Sequence, residues 1–527
     1  MQPLSGFDKI CEADGNIRPG GCDPPGRMMD SNTIVAQLAG LSGIMSIYPR
    51  SVAPAGPATY ALARVGSGPD SVRQLLILTP DRDADLGELS RAVSGFRGQS
   101  SRVEIDGQPF ALMRCPLTAE NATALRMVFP WLQPRALGLV KSVGCGDRVG
   151  LATPGHVQAV RHYGCMAPVF AQQSMREMAR ANRTPIQVMD DAMWGVFQEG
   201  WRDGFGADAD HLKTPEDIDL CAAAGFTLFT FDPGAYVDGN ADKDTGAKYA
   251  ALPWDNLDTT PDESLSRYAG GMLNLDAAAV RLALVKYGRA IAHVAMMHRH
   301  LIATMGNRPF EVEVSVDETD TPTTHGEHYV IAGELRRLGV EWVSLAPRFM
   351  GRFEKGVDYI GDLGAFEADF AGHVAVARHW GPYKLSIHSG SDKFSIYSAV
   401  ARLAGNLTHL KTAGTSYLEA LRTVAACDVS LFRNIYALAC QRYPADRASY
   451  HVSANMSRAP AVEALIDEQA CVAVLEQFDA RQALHVCFGS VLGAYGDAIR
   501  SVLVANETLH GANLARHMGR HLEPFSH

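Results

Sequence analysis

The sequence predicts an α/β protein in which a TIM-like (β/α)8 barrel is preceded by a small α+β domain. From residue 144 onwards, apolar or alternating runs of about four to eight residues alternate with longer helical patterns, as in parallel strands joined by helices. Many of these runs end in clusters of Asp, Glu, His, Lys and Arg, most densely between residues 310 and 422. A parallel barrel gathers reactive side chains at the carboxyl ends of its strands, so both observations favour the same fold. Charged surface loops would explain any single cluster but not their succession.

The chain of 527 residues is expected to form more than one domain, since a domain usually takes ~100–200 residues. Residues 1–30 are rich in Gly and Pro and lack an apolar signal core, which predicts a disordered extension. Residues 31–143 are expected to form the small α+β domain, with a structural, regulatory or oligomeric role. Residues 144–527 are expected to form a metal-dependent catalytic barrel.

In the small domain the pattern predicts strands at residues 74–78 and 103–112 and a helix at residues 119–132. The barrel region offers more strand candidates than the eight that such a barrel needs. The candidates are RVGLATP, MAPVFAQQ, FGADADHL, FTLFTFDP, FEVEVSVDE, VEWVSLAP, YKLSIHSG, HLKTAG, SYHVSA and LHVCFGS. We expect MAPVFAQQ or SYHVSA to be a loop.

Helical periodicity is clearer than the strand pattern. Helices are predicted at residues 184–198, 215–224, 273–303, 328–338, 363–380, 416–426, 430–443, 459–470 and 493–509. Residues 238–267, rich in Asp, Thr, Gly and Pro, form a long insertion that is either a lid over the barrel mouth or a surface excursion.

The composition favours a soluble enzyme that acts on a small molecule. Apolar residues make up 47% and charged residues 20% of the chain, and the net charge of −10 argues against a nucleic-acid partner. No apolar run reaches the ~18 residues of a membrane span. The 10 cysteines form no CxxC, which indicates reduced thiols and a cytoplasmic location. No P-loop, GxSxG elbow or Rossmann fingerprint is present. A homo-oligomer is compatible with all of this.

Two strand candidates carry acidic groups towards the predicted mouth. In FGADADHLKT, Asp210 and His211 stand where the backbone turns at a strand end, so that both can reach one site. In FEVEVSVDETD, a period of two places Glu311, Glu313 and Asp317 on one face and the valines on the other. The polar face should line the barrel interior, unless this is an edge strand with one wet face.

Further polar groups follow the strand candidates VEWVSLAP, YKLSI and HLKT. A histidine at a strand end, such as His388, is a natural ligand for a divalent metal, and two histidines with one carboxylate would leave positions open for substrate oxygens. The predicted substrate-binding residues are Arg352, Lys355, Ser389, Asp392, Lys393, His409, Lys411 and Thr412. Solvated charged turns are the alternative interpretation.

Long motifs between residues 144 and 516 resemble one known family. They are GDRVGLATPGH, AQQSMRE, GADADHLKT, SVDETDTPTTHGEH, APRFMGRFEKGVDYIGD, KLSIHSGSDKFSIY and HLKTAGTSYLEALR. Through them the chain resembles the tagaturonate/fructuronate epimerases of bacterial hexuronate catabolism. The resemblance implies a barrel enzyme that uses one divalent metal cation, Zn, Mn, Co or Ni, to interconvert the keto sugar acids D-tagaturonate and D-fructuronate.

The resemblance also implies roles for individual residues. The implied metal ligands are His211, Glu354 and His388. Asp210 is the implied proton acceptor and Glu313 the implied donor, although Asp317 and Glu318 lie closer to the strand end and stay open as alternatives.

The chemistry limits the mechanism. The two keto acids differ at a hydroxyl-bearing carbon β to the ketone, whose C–H is not acidified as an α C–H is, so simple enolisation is insufficient. One hypothesis is retro-aldol cleavage, begun when Asp210 takes the hydroxyl proton. The other is direct deprotonation of that carbon between Asp210 and Glu313. A metal-dependent aldolase, a catalytically inactive sugar sensor and activity on neutral tagatose or fructose stay open as alternatives.

Overall fold

The computed structural model describes residues 31–67, 71–80 and 93–526. The disordered extension predicted at residues 1–30 lies outside the described residues. The described chain contains one antiparallel sheet near its start and one closed parallel barrel.

The antiparallel sheet forms the core of the N-terminal domain. Its elements are α1 (Ser31–Ala39), β1 (Ile44–Ile47), β2 (Ala53–Ala55), β3 (Ala58–Val65), β4 (Val72–Pro80), β5 (Gln99–Ile105), β6 (Gln108–Pro116) and α2 (Ala119–Val128). The strand order is β1-β3-β4-β6-β5, and β2 pairs with β3. Successive residues alternate between two cores: Ala61 and Leu76 pack on the side of α1, whereas Leu62 and Leu75 pack on the side of the barrel.

The single strand predicted at residues 103–112 is in fact a hairpin. Asp106 and Gly107 have φ values of 49° and 71°, and an Asp-Gly pair with positive φ at both central positions is the preferred two-residue hairpin turn. The helix predicted at residues 119–132 ends at Val128, because Pro130 begins a separate short turn.

Eight parallel strands close into a barrel, which confirms the predicted fold class. They are β7 (Ser142–Gly144), β8 (Ala167–Ser174), β9 (Gly206–Leu212), β10 (Leu228–Phe231), β11 (Glu311–Val316), β12 (Ser344–Pro347), β13 (Lys384–Ile387) and β14 (Thr408–Lys411). Strands follow one another in chain order around the barrel, and β14 pairs with β7 to close it. All carboxyl ends therefore meet at one mouth.

Of the two candidates expected to include a loop, SYHVSA contains no strand and MAPVFAQQ forms β8. The short strand β7 was not predicted, and two other candidates are not strands. RVGLATP is a turn, because the Asp147 carboxylate accepts hydrogen bonds from the backbone N–H groups of Val149 and Ala152. LHVCFGS is helical, since a short apolar run alone does not distinguish a strand from a buried helix.

Helices surround the barrel and continue beyond it. They are α3 (Thr153–Tyr163), α4 (Met175–Arg180), α5 (Pro185–Glu199), α6 (Pro215–Ala224), α7 (Thr245–Ala250), α8 (Pro261–Tyr268), α9 (Ala277–Met305), α10 (His325–Arg337), α11 (Leu363–Trp380), α12 (Phe394–Ala404), α13 (Thr415–Cys427), α14 (Val429–Asp446), α15 (Glu468–Val474), α16 (Phe478–Val486), α17 (Phe488–Ala505) and α18 (Glu507–Leu522). The predicted bounds of α6 and α11 are confirmed. The helix predicted at residues 459–470 is wrong, because α15 begins only after the N-cap Asp467. The helix predicted at residues 493–509 is broken at Asn506, between α17 and α18.

The insertion at residues 238–267 lies beside the barrel helices. Its helices α7 and α8 pack on α9 and α10, where Tyr249 and Tyr268 share a core with Leu284 and Val330. It contributes no residue to the mouth cavities described below. The structure therefore supports the surface excursion rather than the lid.

The C-terminal helices α13 to α17 form a second hydrophobic core beside the barrel. This region also brings His485 of α16 and Tyr450 to the mouth of the barrel. Within the part of the chain that the structure describes, no helix has the length and hydropathy needed to cross a membrane.

Candidate active site

Asp210 and His211 stand at the carboxyl end of β9. His211 has a left-handed backbone, with φ of 53°, so the chain turns and two neighbouring side chains reach the same site. His211 Nε2 lies 3.7 Å from Asp210 Oδ1. On the other side of the ring, Nδ1 lies 3.3 Å from the Asp232 carboxylate, just after β10.

His388, just after β13, completes the group. Its Nε2 lies 2.6 Å from Glu313 Oε1, and its Nδ1 lies 3.2 Å from Asp317 Oδ1. The rings of His211 and His388 are 4.9 Å apart between centroids. Asp210, His211 and His388 each offer one potential ligand atom, and these atoms lie within 4.8 Å of one another.

The buried ammonium group of Lys411, at the end of β14, connects the acidic groups of the mouth. Its Nζ lies 2.8 Å from Asp208 Oδ2, 2.7 Å from Asp210 Oδ1 and 2.8 Å from Glu313 Oε1. It also donates to Thr230 Oγ1 at 2.8 Å. One lysine thus faces three carboxylates, which leaves this part of the site negative.

Partner charges decide how these buried groups ionise. Burial would raise the pKa of Asp210, but His211 and Lys411 together hold it below its usual value. For Asp208, burial outweighs the attraction of Lys411 and raises the pKa to about 6. Burial opposes charge on the two histidines, yet the surrounding carboxylates raise the pKa of His211 to about 9 and that of His388 to about 10. The mouth is therefore an environment that stabilises positive charge.

Two cavities that share part of their lining open over these groups. Both are lined by Arg176, His211, Lys355, His388, Ser389 and Tyr450. The first also reaches Asp210 and Lys411, and the second, of about 370 Å³, reaches Asp317 and Glu318. This volume is in the usual range for small-molecule sites.

Known proteins identify the family. The sequence matches the UxaE family, described as tagaturonate epimerase, over residues 48–525. A tagaturonate/fructuronate epimerase of Thermotoga maritima is 44% identical over 415 residues, which cover 78% of this chain and 85% of that protein. This chain belongs to the tagaturonate epimerase family. It is therefore an enzyme of the isomerase class, as predicted.

Solved structures agree with this assignment. The glycerol complex of fructuronate-tagaturonate epimerase UxaE from Cohnella laeviribosi has a TM-score of 0.83 at 34% identity. Its native crystal structure has a TM-score of 0.82 at 35% identity, and each alignment covers 94% of this chain and 99% of that chain. The family match begins at residue 48, so the resemblance extends into the N-terminal domain, beyond the residues from which it was first identified.

The epimerase fold brings some of the predicted substrate-binding residues to the cavities. Arg352 lines the second cavity, and Lys355 and Ser389 line both. Lys411 also reaches the first cavity, but its ammonium group is held by Asp208, Asp210 and Glu313 and is not free for a substrate carboxylate.

Four other predicted residues turn away from the cavities. Lys393 donates to the carbonyls of Glu354, Val357 and Ser391, which occupies all three of its N–H groups. Asp392 accepts from Arg481 at 3.0 Å. These contacts fix the loop after β13, and neither residue lines the cavities.

His409 and Thr412 are the other two predicted substrate-binding residues that do not line the cavities. His409 Nδ1 lies 2.8 Å from Ser142 Oγ, and the Thr412 hydroxyl donates to the carbonyl of Gly144. Both residues are fully buried at the junction of β14 with β7. Their polar atoms therefore link the closing strands of the barrel, and neither residue lines the cavities.

Glu354 lies in the wall of the second cavity but apart from the other implied metal ligands. Its Oε2 accepts from the Ser453 hydroxyl at 2.7 Å and from Gln482 Nε2 at 3.0 Å. It is not among the residues whose ligand atoms lie within 4.8 Å of those of His211 and His388. Its role as a ligand stays a prediction.

Several residues of the site were missed by the sequence reasoning. Gln172, Arg176 and Glu177 line the first cavity from β8 and α4, and His485 lines it from α16. The AQQSMRE motif was a usable signal for the first three, but whether its segment was a strand or a loop was left open. Asp232 lies near the end of another strand candidate, FTLFTFDP. An acidic residue at a strand end could have been recognised as a residue of the site.

Proposed function

We propose that this chain interconverts D-tagaturonate and D-fructuronate and uses one divalent metal cation at the barrel mouth. The observation that carries this proposal is the convergence of Asp210 and His211 from the end of β9 with His388 from the end of β13, with ligand atoms within 4.8 Å of one another. The names of the family and of its relatives supply the substrates.

The donor groups at the mouth fit a divalent metal. Imidazole and carboxylate suit ions such as Zn, Mn, Co or Ni, and the surrounding carboxylates favour a cation electrostatically. When bound, the metal supplies Lewis acidity to substrate oxygens. The proposed ligands are His211 and His388 with Glu354, as the family resemblance implies, or with Asp210, which lies in the same group.

Two carboxylates are suited to orient the histidines. Glu313 accepts from His388 Nε2 at 2.6 Å, which leaves Nδ1, on the side of Asp317, for a metal ion, and Asp232 faces His211 Nδ1, which leaves Nε2. This carboxylate–histidine arrangement is usual behind metal sites. It favours a positioning role for Glu313 over the donor role that the resemblance implied.

The proposed proton donor is a residue that lines the second cavity. Burial would raise the pKa of Glu313, but Lys411 and His388 hold it well below its usual value, so this residue starts without a proton. Asp317 and Glu318 line the second cavity. Burial would raise the pKa of Asp317, but His388 holds it below its usual value, so Asp317 also starts without a proton and Glu318 is the proposed donor. Asp210 is the proposed acceptor of the hydroxyl proton, because its carboxylate is kept ionised beside Lys411.

The substrate carboxylate is proposed to bind Lys355. This half-buried residue lines both cavities, and in the described part of the chain its ammonium group makes no hydrogen bond or ion pair. Burial lowers its pKa, although Glu177 opposes this. An ammonium group in such a setting gains most from an anionic ligand.

Product analysis tests the proposal. Purified protein incubated with D-tagaturonate in heavy water should give an equilibrium of two six-carbon acids, followed by NMR. Three-carbon products would indicate an aldolase, and no turnover on tagaturonate, tagatose or fructose would favour a sensor. Deuterium at the inverted carbon would exclude pure retro-aldol cleavage, whereas its absence would argue against direct deprotonation.

Replacing Lys355 by Met should separate acid from neutral substrates. We expect kcat/KM for tagaturonate to fall about 10²-fold, since a charge-assisted contact contributes about 1.5–3 kcal/mol, while kcat/KM for tagatose changes little. Lys243→Met is the matched control, because this lysine is exposed in the surface insertion and lines neither cavity, and it should cost less than about fivefold. Equal losses on both sugars in the Lys355→Met variant would contradict the assignment.

A further inference from the structure

A second group of metal-ligating side chains lies outside the barrel interior. We propose that His325, Asp369 and His373 form a second site for a divalent cation of the zinc type. The group joins the first residue of α10 to one face of α11, where Asp369 and His373 are one turn apart. None of the three lines the mouth cavities, so the site is separate from the proposed catalytic one.

The distances match a tetrahedral ion. Asp369 Oδ1 lies 3.3 Å from His325 Nε2 and 3.7 Å from His373 Nε2, and one ligand atom from each residue lies within 4.8 Å of the others. Ligand atoms about 2.1 Å from a tetrahedral zinc ion lie about 3.4 Å from one another. Small side-chain movements would therefore bring all three atoms into coordination.

His373 provides the observation that points to a ligand. It is 0% exposed, and its Nε2 finds no hydrogen-bond partner among the described residues, although it faces the Asp369 carboxylate. A buried imidazole nitrogen without a partner is costly. A cation between Nε2 and the carboxylate would satisfy both groups.

A hydrogen-bond chain behind His373 can set the tautomer that binding needs. His373 Nδ1 lies 2.9 Å from His328 Nδ1, and His328 Nε2 lies 2.7 Å from the Tyr383 hydroxyl. If His373 Nδ1–H donates to His328, then Nε2 of His373 carries the lone pair. Such outer partners fix the orientation and tautomer of metal-binding histidines.

His325 gives the site access to solvent. Its side chain is 37% exposed, and without metal its Nε2–H donates to the backbone carbonyl of Asp369 at 2.9 Å. Metal binding would replace that proton. The ring can approach α11 because Gly372 has no side chain: a Cβ there would lie 2.3 Å from His325 Nε2.

The site is suited to stabilise a wall of the mouth. Asp369 Oδ2 accepts from the backbone N–H of Met350 at 3.0 Å, in the loop after β12 that also carries Arg352 and Lys355. A bound cation would tie α10, α11 and this loop together. Because it binds only the folded chain, it should raise the melting temperature, and the rise should grow with the free metal concentration.

Metal stoichiometry tests the inference. We expect protein that is stripped, loaded with Zn²⁺ and desalted to hold two ions per chain by mass spectrometry, and the His325→Gln and Asp369→Asn variants to hold one. His379→Gln, at an exposed residue of the same helix, is the matched control and should keep two. His388→Gln should lose the other ion.

The outcomes are distinguishable. If His325→Gln and Asp369→Asn both hold as much zinc as the wild type, the second site is wrong. If the wild type holds one ion that these variants lose and His388→Gln keeps, the second site stands and the proposed catalytic metal fails. Should Asp369→Asn not fold, His325→Gln alone decides, together with loss of the zinc-dependent rise in melting temperature that the wild type shows.

Discussion

Replacing Asp210 by Asn is expected to lower kcat by about 10³-fold, in the range that the loss of a general base produces. The substitution keeps the shape of the side chain but removes its ability to take a proton. Asp210 is buried and held within 2.7 Å of Lys411 Nζ, so no water is expected to replace it at that position. Steady-state rates of epimerisation, with folding checked by circular dichroism, measure the effect.

A neighbouring carboxylate provides the control for Asp210. Asp232 is also buried and also faces His211, but from the side of Nδ1. Asp232→Asn removes the same charge from the same surroundings, and because Asp232 acts only by orienting His211, its loss should cost about 10–100-fold. If Asp210→Asn retains as much activity as Asp232→Asn, Asp210 is not the proton acceptor.

The alternating polar face of β11 shows what the sequence could predict. The period of two placed Glu313 inside the barrel, where it is fully buried, and placed Val314 against the helices. The turn at the end of β9 was also predictable, and His211 adopts the left-handed backbone that it requires. Both features depend on residues that are neighbours in the chain, so the sequence alone can predict them.

The roles of the lysines could not be predicted in the same way. Three lysines lie at or after strand ends, namely Lys355, Lys393 and Lys411. Of these, only the Lys355 ammonium group is free of protein partners in the described chain. What a lysine binds depends on the atoms within about 3 Å of its Nζ, and those come from distant parts of the chain. His485 illustrates the same limit, because it reaches the mouth from a C-terminal helix that resembled a strand.

Complete removal of divalent metal is expected to abolish epimerisation, and stoichiometric reloading should restore it. The retro-aldol hypothesis requires negative charge to develop on the enolate oxygen, and Lys411 is already occupied by three carboxylates. A divalent metal at the mouth would stabilise that charge. Activity is measured after chelation and again after titration with Zn, Mn, Co or Ni. Full activity in metal-free protein would exclude the proposed mechanism.

Variants of the two competing carboxylates decide which one completes the metal site. Glu354 is anchored by Ser453 and Gln482, so as a ligand it would have to give up these contacts, whereas Asp210 already lies in the ligand group. If Glu354 is a ligand, Glu354→Gln should weaken metal affinity at least 10-fold and Asp210→Asn should bind metal normally while losing turnover. If Asp210 is a ligand, Asp210→Asn should weaken metal affinity at least 10-fold and Glu354→Gln should bind metal normally. Because metal affinity and kcat are measured separately on each variant, loss of a ligand is distinguished from loss of a base.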